Sequence, residues 1–228
     1  MRGRWRSVLD VVATIGVLVA SATVIMSYRA RAPVQAPAPP LPTEPLLLNG
    51  AHLKGASTAL VVIVEYSEFE CPFCRRFAAD TLPTIVADYV DTGRVRLAFR
   101  HFPLEQIHRF ARAAASATEC AARQERFWEM HDALFIGPVQ LRESDLVDKA
   151  VALGLTPGVF RNCMTADSGS VVNEDIQSGG ALKVTGTPTF FIGKALPGDR
   201  VRVTARLAGA QPIAEFRRAI DPLLKGAQ

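Results

Sequence analysis

The sequence predicts an α/β domain with a run of helices spliced into it. Three observations carry this. Residues 60–66, LVVIVEY, form a continuous β-branched run, the pattern of a strand buried on both faces. A helical pattern and an alternating second strand at 94–102, RVRLAFRHF, follow, completing a βαβ unit. After a long helical stretch the chain returns to strand at 189–193 (TFFIG) and 201–209 (VRVTARLAG), and a helix at about 212–225 closes it.

Three segments stand in order along the chain: 1–31, 32–45 and 46–228. Residues 1–7, MRGRWRS, are a basic lead, and Val11–Tyr28 are 18 residues without a charge. As a helix that run reaches roughly 27 Å, about one bilayer core. Two readings stand: a cleaved signal peptide with Ala20-Ser21-Ala22 as its small-residue site, or an uncleaved signal anchor over residues 8–28. The apolar run continues through Val24-Ile25-Met26, beyond that site, which favours the anchor. Arginines at 2, 4 and 6 precede it and Arg29 and Arg31 follow, which places the N-terminus in the cytoplasm and the rest outside.

Residues 32–45 hold six prolines in fourteen positions. Such a stretch favours extended polyproline II and serves as a linker, holding the domain up to roughly 40 Å from a membrane. Residues 1–44 carry five arginines against Asp10 and Glu44, so the globular part, with 21 basic and 20 acidic residues, is close to neutral. Without a Lys/Arg stripe interleaved with aromatics, nucleic acid is dropped as a partner.

Within the domain, 75–90 (RRFAADTLPTIVADYV) has helical spacing, broken or kinked at Pro83. Residues 105–136 read as one long helical region rich in alanine. Ser144 is the expected cap of a helix ended by Gly154, Thr156-Pro157 starts another, and a further helix runs to Gly179-Gly180. The helical insert thus covers about 104–180.

The chemistry concentrates at Glu68-Phe69-Glu70-Cys71-Pro72-Phe73-Cys74, between the first strand and its helix. A zinc site needs four ligands, usually two such cysteine pairs, and only one pair has this spacing. A structural disulfide gains little by closing so small a loop. Redox exchange fits the context better. Cys71 sits at a helix start, where free N–H groups and the dipole favour a thiolate, and Pro72 suits the first turn. Cys74, one turn on, lies on the same side but deeper and is expected to resolve a mixed disulfide. Glu65, in mid-strand six residues before Cys71, is expected to be buried, raised in pKa, and able to shuttle a proton for Cys74; a strand-end surface charge is the alternative. Gly186-Thr187-Pro188-Thr189 stands just before a strand, where a cis peptide bond or an ordinary trans turn both fit.

Four stretches carry a family resemblance: VEYSEFECPFC, RHFPL with His108 after it, ECAARQERFWEMHDALF, and VTGTPTFFI. From about Leu47 to Lys225 the chain resembles the DsbA-like, extracytoplasmic group of the thioredoxin superfamily. The resemblance implies a thioredoxin fold with a helical insertion. It implies Cys71 as nucleophile, Cys74 as its partner, and Pro188 cis against the disulfide, with the Thr187 backbone pairing to a substrate strand. Glu65 falls where the superfamily places its buried acid. One departure stands out. The best-known oxidases of the group carry histidine between the cysteines, and here the dipeptide is Pro72-Phe73. Phe73 offers packing or a peptide-binding surface, and Glu68 and Glu70 oppose the anion, so Cys71 is expected to be acid but less so than in the most oxidising members.

Cys120 and Cys163 are expected to pair in an oxidising compartment, the alternative being two buried free thiols. His108 and His131 read as packing or surface residues on helices, and Asp148 and Lys149 as a solvated helix face. Together these features predict a membrane-tethered thiol–disulfide oxidoreductase outside the cytoplasm, a monomer without bound cofactor or metal. It would oxidise cysteine pairs of exported proteins. The resemblance implies reoxidation by a quinone-linked membrane oxidase. Two alternatives remain: an isomerase or reductase, including one for cytochrome c maturation, and a non-catalytic peptide-binding or chaperone module.

Overall fold

A computed structural model of the chain describes residues 39–166 and 169–225. The expected signal or anchor helix (1–31) and linker residues 32–38 lie outside the described residues. Among the described residues, no helix is long and apolar enough to cross a membrane.

In chain order the elements are β1 (Leu46–Leu47), β2 (His52–Lys54), β3 (Val61–Ser67), α1 (Pro72–Asp80), α2 (Leu82–Ile85), β4 (Val95–His101), α3 (Ala111–Ala122) and α4 (Phe127–Phe135). Then follow α5 (Glu143–Ala152), α6 (Pro157–Thr165), α7 (Gly169–Ala181), β5 (Thr189–Leu196), β6 (Arg200–Ala208) and α8 (Ile213–Lys225). Helix α2 runs on into a π-helical turn, Val86–Val90.

The strands form one six-stranded sheet in the order β1-β6-β5-β3-β4-β2. Strand β3 lies parallel to β4 and antiparallel to β5, and every residue of it is buried. This is why its sequence is continuously apolar rather than alternating. Its odd positions, Val61 and Ile63, meet Phe77 of α1, Ile85 of α2, and Phe216 and Ile220 of α8. Its even positions, Val62, Val64 and Tyr66, meet Phe191, Val201 and Val184 on the other face. Helix α7 is fixed to that second face by polar contacts: Arg100 to Asp175 at 2.5 Å, and Tyr66 to Ser178 at 2.5 Å. A third apolar cluster, from Phe69 and Phe99 to Phe160, fills the helical insertion.

At Gly193, where the β5–β6 register shifts, an added Cβ would lie 2.0 Å from the Arg202 carbonyl oxygen. Only glycine permits that approach.

Several local expectations are corrected. The first helix ends at Thr81 rather than Pro83, which instead stands in the first turn of α2, where its missing N–H costs nothing. The 105–136 region is two helices: a positive φ at Glu125 turns the chain between α3 and α4, and 104–110 is turn and loop. Ser144 lies inside α5. The cap is made by Asp145, whose carboxylate accepts the Arg142 N–H at 2.9 Å. Strands β1 and β2 were not anticipated; they are too short to show a period.

Cys120 of α3 and Cys163 of α6 form a disulfide with Cα atoms 5.7 Å apart. It closes a 43-residue separation within the insertion. The loop-closure model assigns such a crosslink about 4 kcal/mol. Urea unfolding of Cys120→Ala/Cys163→Ala should show a loss of that order; a loss below about 1 kcal/mol would show that the unfolded chain is not constrained by the crosslink.

Candidate active site

Helix α1 begins without a side-chain cap. Cys71 occupies the cap position in extended conformation (φ −69°, ψ 122°) with proline immediately after it. The helix-start N–H groups of Phe73 and Cys74 are thus left to the Cys71 sulfur. Cys71 is 3% exposed and Cys74 is fully buried below it. The Thr187–Pro188 bond is cis, and the Thr187 carbonyl oxygen lies 3.4 Å from Cys71 Sγ. The structure therefore brings Cys71, Cys74, Thr187 and Pro188 together. Phe73 is half-exposed beside them, with the Arg76 guanidinium 5.3 Å above its ring.

The two thiols are driven apart in acidity. Cys71 is pulled from 9.0 down to about 5, first by the S–H of Cys74. Burial opposes this; the Thr187 hydroxyl and the backbone N–H groups of Cys74 and Phe73 add to it. Cys74 is pushed well above the usual thiol value by burial, and then by the neighbouring Cys71 sulfur.

Glu65 is 1% exposed and lies on the odd-numbered face of β3, towards the side that carries α1. Phe99 and Phe190 flank it in register on the neighbouring strands. Burial raises its carboxyl to about 8, against a smaller opposing effect of the Ser67 hydroxyl. Its Oε2 has no hydrogen-bond partner, and neither has Ser67 Oγ. The Ser67 hydroxyl lowers both Glu65 and Cys74. Ser67 was not singled out in the sequence. The signal was available, since residues 65 and 67 share a strand face.

The two acids before Cys71 behave differently from each other. Glu68 is fully buried; it accepts the Glu70 N–H at 2.6 Å and pairs with His108 Nδ1. Burial raises its pKa, the Glu70 N–H and His108 lower it, and a Cys71 anion raises it again. Glu68 thus opposes the thiolate as expected, but His108 compensates it, which corrects the reading of His108 as packing or surface. Glu70 accepts the Phe110 N–H at 2.7 Å. Arg75, also overlooked, donates to the carbonyls of Leu134 at 2.9 Å, Gly137 at 2.7 Å, and Phe135, tying α1 to the end of α4. Nothing local in the sequence pairs these positions; the insertion brings them together. Cys120 and Cys163 stand apart as the disulfide already described.

Two outcomes follow from these environments. Alkylation of reduced protein at Cys71 should show a midpoint near pH 5. Glu68→Gln should lower it and His108→Ala raise it, each by roughly half to one unit; equal midpoints would remove Glu68 from the electrostatics of the site. Glu65 gives the second. Below about 4.5 its acid is protonated in folded and unfolded chains alike. Between 4.5 and about 8 only the unfolded chain gives up the proton, so stability is lost as pH rises. In a Cys71→Ala/Cys74→Ala background, Glu65→Gln should therefore gain urea stability over the parent between about pH 5 and 8.5. A pH-independent difference would mean the acid is solvated.

A family profile described as Thioredoxin matches residues 48–221. Among curated proteins, the Na(+)/H(+) antiporter NhaA 3 of Salinispora tropica is 39% identical over 142 residues, covering 62% of this chain and 21% of that protein. The NhaA 1 antiporter of Mycolicibacterium vanbaalenii is 38% identical over 154 residues, covering 66% and 24%. The chain thus spans about a fifth to a quarter of the length of the curated relatives it matches. Among solved structures, oxidised BdbD from Bacillus subtilis superposes with a TM-score of 0.67 at 25% identity, over 80% of this chain and 97% of that one. Wolbachia pipientis alpha-DsbA1 gives 0.67 at 25%, over 83% and 95%. The chain therefore belongs to the thioredoxin family, as a DsbA-like protein of the thiol–disulfide oxidoreductase class.

Proposed function

We propose that this protein oxidises cysteine pairs in exported polypeptides through Cys71 and Cys74. One observation supports this above the rest: two adjacent sulfurs of opposite acidity, with the acid one beside the Thr187 carbonyl. In the oxidised pair, a substrate thiolate attacks Cys71 Sγ. The Cys71–Cys74 bond breaks and Cys74 leaves with the electron pair. Because Cys74 is the poor anion, it takes up a proton, which Glu65 supplies through Ser67 or one water. A second substrate thiolate then attacks the substrate sulfur of the mixed disulfide. Cys71 departs as a stabilised thiolate, and the substrate carries the new disulfide. Two electrons have moved from substrate to the pair.

Phe73 and the exposed Ile136 and Val139, the last two close to the segment held by Arg75, offer apolar surface for a polypeptide. Thr187 would hold the substrate backbone. An extracytoplasmic site of action agrees with the disulfide in the insertion. Tethering through residues 8–28 and reoxidation by a quinone-linked membrane oxidase complete the proposal. No bound cofactor is needed, since the pair itself carries the electrons.

A second reading, reductase or isomerase, is favoured by the buried Glu68 beside Cys71 and by the apolar Phe73 between the cysteines. Both weaken thiolate stabilisation. The potential separates the two, because a stabilised reduced form makes an oxidant. Equilibration with glutathione should give a value above about −200 mV; a value near −270 mV would assign the reducing role. Cys71→Ser should abolish thiol oxidation and insulin reduction, and Cys74→Ala should accumulate mixed disulfides with substrates. Full activity in Cys71→Ser would overturn Cys71 as the nucleophile, and an inactive parent would leave only peptide binding.

A further inference from the structure

Three of the four histidines, His52, His101 and His131, gather around Phe99 and Phe127 beneath the insertion. His52 pairs with Phe99 across β2 and β4, so it shares a sheet face with Phe99 and, two residues on, His101. Helix α3 covers that face and brings Glu119 onto it. Glu119 Oε1 lies 2.5 Å from His52 Nε2 and 2.8 Å from His101 Nε2. The three donor atoms all fall within 4.8 Å of one another. The His101 side chain is wholly buried and that of Glu119 nearly so, while that of His52 keeps 18% of its surface exposed. Aromatic rings wall the cluster: His52 stacks on Phe127 at 3.5 Å, and Phe99 stands edge-on to His101 at 5.3 Å.

We propose that His52, His101 and Glu119 form a binding site for a divalent first-row transition ion of the zinc class, with water as the fourth ligand. Two imidazole nitrogens and one carboxylate oxygen suit such an ion and disfavour calcium or magnesium, which take oxygen ligands. Bonds of about 2.0–2.1 Å in a tetrahedral site place neighbouring donors roughly 3.3 Å apart. The two distances to Glu119 are those of hydrogen bonds, so ion entry opens each by less than about 1 Å, while the two imidazole nitrogens, within 4.8 Å of each other, close by at most about 1.5 Å. His52 provides that movement: it is partly exposed and sits on a three-residue strand at the sheet edge. Entry also needs each histidine to present a bare Nε2, its ring proton moving to Nδ1. His101 Nδ1 is buried without a hydrogen-bond partner, so the proton it takes up is unsatisfied there, and the ion's bond to Nε2 has to offset that cost. The exposed edge of His52 gives the ion a way in and the fourth ligand its place. A bound ion would clamp the sheet edge to the insertion. None of its ligands belongs to the redox pair, so the proposal stands apart from the exchange chemistry.

The test uses the full chain with Cys71 and Cys74 oxidised to their disulfide, so that thiols cannot bind metal. Zn²⁺ is titrated by calorimetry and Co²⁺ by visible absorption. One ion per chain, a four-coordinate cobalt spectrum and a raised Tm are expected. His52→Phe keeps the stack on Phe127 and removes one donor; it should weaken binding at least about tenfold, while the metal-free Tm falls only by the loss of the hydrogen bond to Glu119. Absence of saturable binding to the parent, or undiminished binding by His52→Phe, overturns the proposal. Should His52→Phe unfold, His52→Gln takes its place with the same criterion.

Discussion

The site depends on a helix that starts without a cap. Most helices satisfy their first N–H groups with a side-chain oxygen. At α1 the cap position is a cysteine in extended conformation with no side-chain hydrogen bond to the helix. The N–H groups of Phe73 and Cys74 are left facing the Cys71 sulfur, and they favour its thiolate over its thiol. The helix end alone is not enough. A favourable terminus contributes about 2 kcal/mol at most, or about one and a half pKa units. The fall at Cys71 is from 9.0 to about 5. The difference comes from Cys74, whose S–H is the largest single cause, and from Thr187. The low value at one sulfur and the high value at the other are therefore one interaction seen from both ends.

That coupling gives the depth of the pair its meaning. Cys74 has no solvent to ionise into, and the side of the sheet facing it adds a second acid that also resists ionisation. Glu65 is held between Phe99 and Phe190, and the Ser67 hydroxyl favours the charged form of both Glu65 and Cys74. A carboxyl near 8 keeps its proton through neutral pH, which a solvated glutamate would not. Burial of two ionisable groups costs folding stability, and the apolar residues packed around them on the fully buried strand offset it.

The sheet was legible in the sequence where burial on both faces leaves a continuous apolar run, as in β3. It was not legible at β1 and β2, whose two and three residues form strands only because β6 and β4 offer edges. Helix ends failed in a particular way. Ser144 and Pro83 are residues that favour helix starts, but the register of the turn is set by tertiary packing, so each lies in the first turn rather than where a cap or a break was expected. At the site, Cys71, Cys74 and Pro188 are close to motif positions and could be named from spacing. Ser67 was within reach of the two-residue strand period. His108, Arg75 and Glu119 were not, because each meets its partner across 18 or more residues of intervening chain.

Those long-range partners show what the insertion contributes. Every polar tie holding the segment from Glu68 to Arg75 in place from that side comes from it or from the loop leading into it: His108 on Glu68, the Phe110 N–H on Glu70, and the end of α4 on Arg75. The insertion adds the Glu68–His108 pair to the surroundings of Cys71, whose acidity is otherwise set by Cys74, Thr187 and the start of α1. Within the insertion, α3 is bonded covalently to α6. The loop carrying His108 and Phe110 leads directly into α3. A change in how the insertion seats on the sheet would thus reach Cys71 through Glu68, and through the coupled sulfurs it would reach Cys74 as well. A substitution confined to the insertion can in this way retune the proposed exchange without altering either cysteine.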